Sequence, residues 1–352
     1  SICLIVKDEE KNLDACLSSI GDVADEIIVV DTGSTDKTIE IAKKYTDKVY
    51  FFEWCYDFSK ARNFSFDKAE CDYIMWLDAD DIVPSESAQK IKDLLASEED
   101  FDVVMCSYIT AFDKDKKPTF KFLRERIVKN SPLLRFCDPI HEVITPMGKV
   151  ITREDIEVFH NKKSLHTDRN LNIYRKMLAE GRTLTPRQQF YYARELYYNN
   201  LIDEAIHAFA VFLSEGKGWS ENNIEACLNL SKCYQIKKQK KNALCALFGS
   251  FSYDVPRGEI LFEIGKLFEE DGKYNMAIYW YTQALNLNPN VEGGGFVNLD
   301  CYRFLPALQL CVCYYKIGDT EKSKYYHNLT KTFKPDDNRV KYNEQFFSKF
   351  DK

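Results

Sequence analysis

Ile74-Met75-Trp76-Leu77-Asp78-Ala79-Asp80-Asp81 is an apolar run that ends in three carboxylates within four positions. A short continuous apolar run without alternation predicts a central strand buried on both faces. Asp78, Asp80 and Asp81 then lie at its carboxyl end, the edge where open α/β sheets bind ligands. Hard carboxylate oxygens at that edge suit a magnesium or manganese ion carrying a diphosphate. Helix caps and turns also use Asp freely, so the flanking chain has to separate these roles.

Upstream of this run, strand and helix periods alternate. Strands are expected over residues 2–6, 26–30, 49–52 and 73–77, with helices over 12–19, 36–45 and 59–68 between them. This βαβα order predicts a mostly parallel, Rossmann-like sheet with right-handed crossovers. Downstream, a helix is expected at 85–96, a strand at 103–111, a hairpin turn at 114–118 and a strand at 120–128. No Gly-x-Gly-x-x-Gly occurs at a strand-to-helix turn, which argues against a dinucleotide-dependent dehydrogenase.

Composition narrows the class further. With 352 residues, 45% hydrophobic and 14% aromatic, the chain is long enough for two globular domains. A formal charge of −7 without a long basic run argues against nucleic acid or an anionic membrane as partner. No apolar stretch approaches the roughly 20 residues of a membrane span. The chain opens directly on a strand-like Ile2-Cys3-Leu4-Ile5-Val6, so a cytoplasmic protein lacking its initiator Met is expected. The twelve cysteines show neither Cys-x-x-Cys nor zinc spacing and are expected to be reduced, mostly buried small residues.

From about residue 185 the period is helical throughout. Ala205, Ala243 and Ala277 recur at spacings of 38 and 34 residues, with Gly272 at an inter-helix turn and Pro289 closing the last of these units. This pattern resembles the tetratricopeptide repeat, whose small residues let paired helices pack closely. A degenerate first copy is expected at 190–214 and a last one at 305–335, turning at Ile317-Gly318-Asp319-Thr320. Gly293-Gly294-Gly295 reads as a flexible connection, because no Lys-Ser/Thr follows it.

Chemistry-bearing residues gather in the first half. Asp31 ends the second strand in Asp31-Thr32-Gly33-Ser34-Thr35-Asp36, where Ser34 or Asp36 can cap a helix and Asp31 can accept hydrogen bonds from a nucleoside. Arg124 and Arg126 alternate on one strand, either offering forked donors to phosphate or covering a sheet edge. Taken together, Ile5-Val6-Lys7-Asp8-Glu9-Glu10, the Asp31–Asp36 stretch, Ala61-Arg62-Asn63 and Asp78-Ala79-Asp80-Asp81 resemble, in order and spacing, the inverting family 2 glycosyltransferases over roughly residues 1–165. Asp8 stands where many members carry Asn.

That resemblance implies a GT-A fold, a UDP-sugar donor and a divalent cofactor, Mn2+ or Mg2+. Val6, Lys7, Glu9, Asp31, Ser34, Arg62, Asp78, Ala79 and Asp80 are then expected around the nucleotide sugar, with Asp31 against the base and Asp78 near the ribose. Asp80 and His160 are the expected metal ligands. Glu142, in Pro139-Ile140-His141-Glu142-Val143, is the expected catalytic base, although the family's usual acidic pair is here His141-Glu142. The expected domains are a glycosyltransferase domain at 1–165, a linker helix at 166–188 and a repeat domain at 189–352. Such a layout resembles bacterial transferases that glycosylate Ser, Thr or Cys of a peptide or protein, and a polypeptide acceptor is the expected partner. The alternatives are a transferase of cell-envelope saccharide synthesis and a non-catalytic repeat scaffold, and the repeats could equally brace the first domain or form a homodimer.

Overall fold

A computed structural model describes residues 1–112, 118–160, 168–289 and 297–349. Residues 114–117 of the turn expected at 114–118, and the triple glycine at 293–295, lie outside them. The chain divides into two compact units, Ser1–Glu180 and Gly181–Lys352.

The first unit carries an eight-stranded sheet in the order β3-β2-β1-β4-β7-β6-β10-β5. Its strands are β1 (Ile2–Val6), β2 (Ile27–Asp31), β3 (Val49–Phe51), β4 (Tyr73–Asp78), β5 (Asp81–Ile82), β6 (Val103–Phe112), β7 (Pro118–Lys129) and β10 (Val150–His160). Parallel pairing joins β3, β2, β1 and β4, and also β6 to β10. Antiparallel β7 lies between β4 and β6. The crossover helices are α1 (Leu13–Ile20), α2 (Thr38–Ala42), α3 (Phe58–Phe66) and α4 (Ser85–Ala96). Apolar residues of β1, β2 and β4 alternate between two cores. Leu4, Val6, Val29, Met75 and Leu77 pack with α1, α2 and α4, while Cys3, Ile28, Val30, Ile74 and Trp76 pack with Phe66 of α3. Burial on both faces is the reason β4 reads as an uninterrupted apolar run.

A two-stranded hairpin, β8 (Phe136–Cys137) with β9 (Val143–Ile144), adds Phe136 and Ile144 to the second of these cores. Helix α5 (Arg169–Ala179), expected in a linker, belongs to the first unit and buries Leu171, Ile173, Tyr174 and Met177. The division therefore falls after Glu180, within the stretch 166–188 expected as a linker.

The described residues of the second unit form helices and the turns between them. Its hairpins are α6 (Pro186–Tyr198) with α7 (Ile202–Glu215), α8 (Ser220–Ile236) with α9 (Lys240–Gly249), α10 (Gly258–Glu270) with α11 (Tyr274–Asn286), and α12 (Phe304–Lys316) with α13 (Thr320–Phe333), followed by α14 (Asn338–Phe347). Ala205, Ala243 and Ala277 are fully buried, each on the second helix of a hairpin. The turn within each hairpin has one left-handed residue: Asn200, Lys238, Gly272 and Gly318, with φ of 59, 58, 68 and 83°. The same pair of backbone bonds closes every turn, as in Gly272 N to Glu269 O and Lys273 N to Phe268 O, which satisfies carbonyls that the helix end would orphan. The twelve cysteines are all free thiols, and Cys55, Cys137 and Cys245 are exposed. No helix among the described residues is long and apolar enough to cross a membrane.

Candidate active site

The carboxyl ends of β1, β2 and β4 open onto a cavity of about 580 Å³. Its wall includes Val6, Lys7, Glu9, Arg62, Asp78, Ala79, Asp80, Glu142 and His160. Nine of the expected site residues therefore share one space although they are scattered over more than 150 positions of sequence.

Asp31 and Ser34 stand behind this wall. The Asp31 carboxylate is buried and accepts from the amides of Gly33 (3.0 Å) and Ser34 (3.1 Å), closing the turn after β2, and Thr32 lines the cavity instead. Ser34 Oγ accepts from the Asp8 amide at 2.9 Å, and Asp8 Oδ1 accepts from the Thr35 amide at 2.7 Å. These bonds lace the loops after β1 and β2 together. Asp8 sits at φ 55°, where Asn and Asp are the non-glycine residues best tolerated, which gives a physical reason for either at this position.

Beyond β4 the chain turns through Ala79 and Asp80 into β5, which pairs antiparallel with the end of β10 and sets His160 opposite Asp81. Asp81 is fully buried. Its Oδ2 accepts from Arg126 Nη1 (3.0 Å) and the Asp78 amide (2.9 Å), and its Oδ1 lies 2.9 Å from the Tyr108 hydroxyl and 3.0 Å from His160 Nδ1. Arg126 is also fully buried, with its guanidinium carbon 3.8 Å from the Trp76 ring centre and 4.0 Å from that of Tyr108. It is not a phosphate donor and covers no sheet edge, because β7 runs between two other strands. Arg124 does reach the cavity wall.

Asp78, Asp81 and His160 each offer a ligand atom within 4.8 Å of the others, a spacing that could hold a metal ion. The oxygens of Asp81 are already engaged, whereas Asp80 Oδ1 lies 3.4 Å from His160 Nδ1 and its side chain lines the cavity. Burial, with the nearby charges of Asp78, Asp81 and Glu9, pushes the Asp80 carboxyl up to about 6, against the pull of His160. Burial would lower His160, but the hydrogen bond to Asp81 and the charges of Asp80 and Asp78 raise it. Asp78 and Asp81 carry arginine partners, and a divalent cation beside Asp80 and His160 fits the remaining donor set.

Arg62 organises the opposite side. It is buried, with Nη2 2.5 Å from Asp78 Oδ1 and Nε 2.7 Å from Glu142 Oε1. Its guanidinium lies over Trp76 (4.8 Å) and Phe136 (5.3 Å). Burial alone would raise Asp78, yet the charges of Arg62 and Arg126 hold it well below the usual carboxylate range. The rest of the wall includes Trp54, Tyr56, Phe58, His141, Arg169 and Asn170. Sequence reasoning missed that aromatic and basic side, whose only local signal is Trp54-Cys55-Tyr56-Asp57-Phe58 after a strand.

The model of Glycosyl transferase family 2 matches residues 1–159. Those residues are a family 2 glycosyltransferase domain. A glycosyltransferase of Bacillus subtilis, SunS, is 29% identical over 220 residues, covering 58% of this chain and 50% of that protein. A TPR repeat-containing protein of Synechococcus elongatus is 34% identical over 145 residues, covering 41% of this chain and 35% of the relative. The chain thus spans about a third to a half of the length of these curated relatives. Among solved structures, TarS of S. aureus superposes with a TM-score of 0.41 at 15% identity, over 73% of this chain and 57% of TarS. The family match and the sheet agree with the GT-A architecture that the motifs imply.

Proposed function

We propose that this protein is a metal-dependent inverting glycosyltransferase that moves a hexose or N-acetylhexosamine from a UDP-sugar to Ser, Thr or Cys of a peptide or protein, held with help from the helical repeats. One observation carries the reading: the Asp80–His160 pair and the Arg62–Glu142 pair face a single cavity.

Inverting transfer needs a nucleophile on the anomeric carbon opposite the leaving diphosphate and a base for its proton. Glu142 is the base in this reading. As the acceptor oxygen or sulfur bonds to the anomeric carbon, the bond to the diphosphate breaks with its electron pair, and Glu142 takes the acceptor's proton. Asp80 and His160 would hold a divalent ion, which when bound supplies counter-charge for the diphosphate. Arg62 keeps Glu142 aimed, and Asp78 is held ionised beside the donor. The repeats support a polypeptide acceptor, since stacked helical hairpins commonly hold extended peptides or partner helices.

Calorimetric titration of UDP with and without Mn2+, on the wild type and on Asp80→Ala, tests the donor site. Metal-dependent binding lost in the variant supports the reading and leads to screening UDP-sugars for transfer to peptides. Absence of binding for every nucleoside diphosphate would leave the scaffold alternative.

A further inference from the structure

Glu142 lies in the β8–β9 hairpin, whose ladder consists only of the pairs Phe136–Ile144 and Cys137–Val143. A ladder that short does not fix a loop. Between the strands, Asp138 and His141 take left-handed conformations, φ 73 and 54°, a region that Asp and His enter more readily than most side chains, so bonds from outside the loop have to fix it.

The bonds that hold it include one from the Phe58 amide to the Pro139 carbonyl at 2.8 Å and those of two side chains outside the cavity wall. Asn63 of α3 behaves as a strand residue toward β8: its Nδ2 donates to the Phe136 carbonyl at 3.0 Å, and its Oδ1 accepts from the Phe136 amide at 2.8 Å. Glu125 of β7, 5% exposed, accepts from the Ile144 amide at 3.1 Å and thereby holds β9. It is also paired with Arg124, which donates to the Glu142 carbonyl at 3.4 Å. An amide engaged through both its nitrogen and its oxygen, and a buried carboxylate that accepts from a backbone amide, fit a clamp better than they fit solubility or packing.

We infer that Asn63 and Glu125 are positioning residues that clamp the two ends of the Phe136–Ile144 hairpin and so fix Glu142 against Arg62. The inference rests on the proposed role of Glu142 only for its catalytic consequence. The clamp itself is a statement about backbone order.

Two readouts test it on the full-length protein, using Asn63→Ala, Glu125→Ala, Glu125→Gln and Glu142→Gln. The first is amide hydrogen exchange, in which the 136–144 segment should speed up at least tenfold in both alanine variants while β1 and β4 keep wild-type protection. Glu125→Gln retains an acceptor for the Ile144 amide and should restore slow exchange. The second is steady-state hydrolysis of UDP-glucose and UDP-N-acetylglucosamine with Mn2+, where both alanine variants should lose at least tenfold in kcat with KM within twofold, and Glu125→Gln should recover most of it. Unchanged exchange at 136–144 overturns the clamp, whatever the activity. Faster exchange with normal turnover, where Glu142→Gln is inactive, overturns the positioning role. Faster exchange with normal turnover in Glu142→Gln leaves the clamp standing and removes Glu142 as the base.

Discussion

At the scale of single residues, neighbouring carboxylates have been given unlike roles by their surroundings. Asp81 is satisfied on both oxygens inside the protein, whereas Asp80 faces the cavity beside His160. Asp80→Ala should therefore abolish metal-dependent UDP affinity, a loss of at least tenfold by calorimetry, with the fold intact by circular dichroism. Asp81→Ala should instead strand buried Arg126 and lower stability by about 3 kcal/mol in a denaturant titration. With its carboxyl near 6, Asp80 carries a proton below that pH in the metal-free protein. Because His160 must also be deprotonated to hold the ion and is raised above its ordinary value, Mn2+ affinity should begin to fall as pH drops through the His160 range and fall more steeply below about 6, which titrations between pH 5 and 8 would show. Glu142→Gln should lower kcat by about 10²–10⁴ while UDP affinity stays within twofold. Three carboxylates at a strand end are legible as a site, but which of them meets the ligand is not. That choice depends on Arg126 and Tyr108, 45 and 27 positions from Asp81 in sequence.

Among elements, the first sheet edge and the helical hairpins each depend on one local device. Glu26, just before β2, accepts from Lys48, Ser1 Oγ and the Glu70 amide. Partial burial works to raise its carboxyl, but those bonds outweigh it and bring it down to about 2 from 4.5. An acid lowered on folding stabilises fully above its unfolded value and loses that contribution as pH falls from about 4.5 to about 2. Glu26→Gln should cost about 1 kcal/mol at pH 7, and the difference should fade across that window in denaturant melts. In the repeats, a Cβ on Gly265 of α10 would come within 2.7 Å of the Tyr281 ring of α11. Gly265→Ala should accordingly destabilise by about 1–3 kcal/mol despite its better helix propensity, as thermal melts would register. Gly272 and Gly318 announce their turns in sequence, while Asn200 and Lys238 make the same turn without the residue that signals it. The backbone bonds closing each turn carry the requirement, and the side chain only lowers its cost.

For the whole molecule, every residue lining the cavity belongs to the first unit. A chain of residues 1–180 should bind UDP and Mn2+ within about threefold of the full-length affinity, and residues 181–352 should bind neither, as parallel titrations would establish. Strand and helix alternation, the buried β4, the carboxylates at its end and the repeating hairpins were determined by the sequence itself, because burial on both faces, helical periods and turn chemistry are local patterns. Arg62 bridging Asp78 to Glu142, Asn63 holding Phe136, Glu125 holding Ile144 and His160 meeting Asp81 were decided by tertiary structure alone. Each joins residues 16 to 80 positions apart, and their meeting depends on β7 entering antiparallel beside β4 and on β10 running parallel to β6 before pairing with β5. Spacing along a chain carries no information about such registers, since they are set by which sheet arrangement buries all the apolar faces at once.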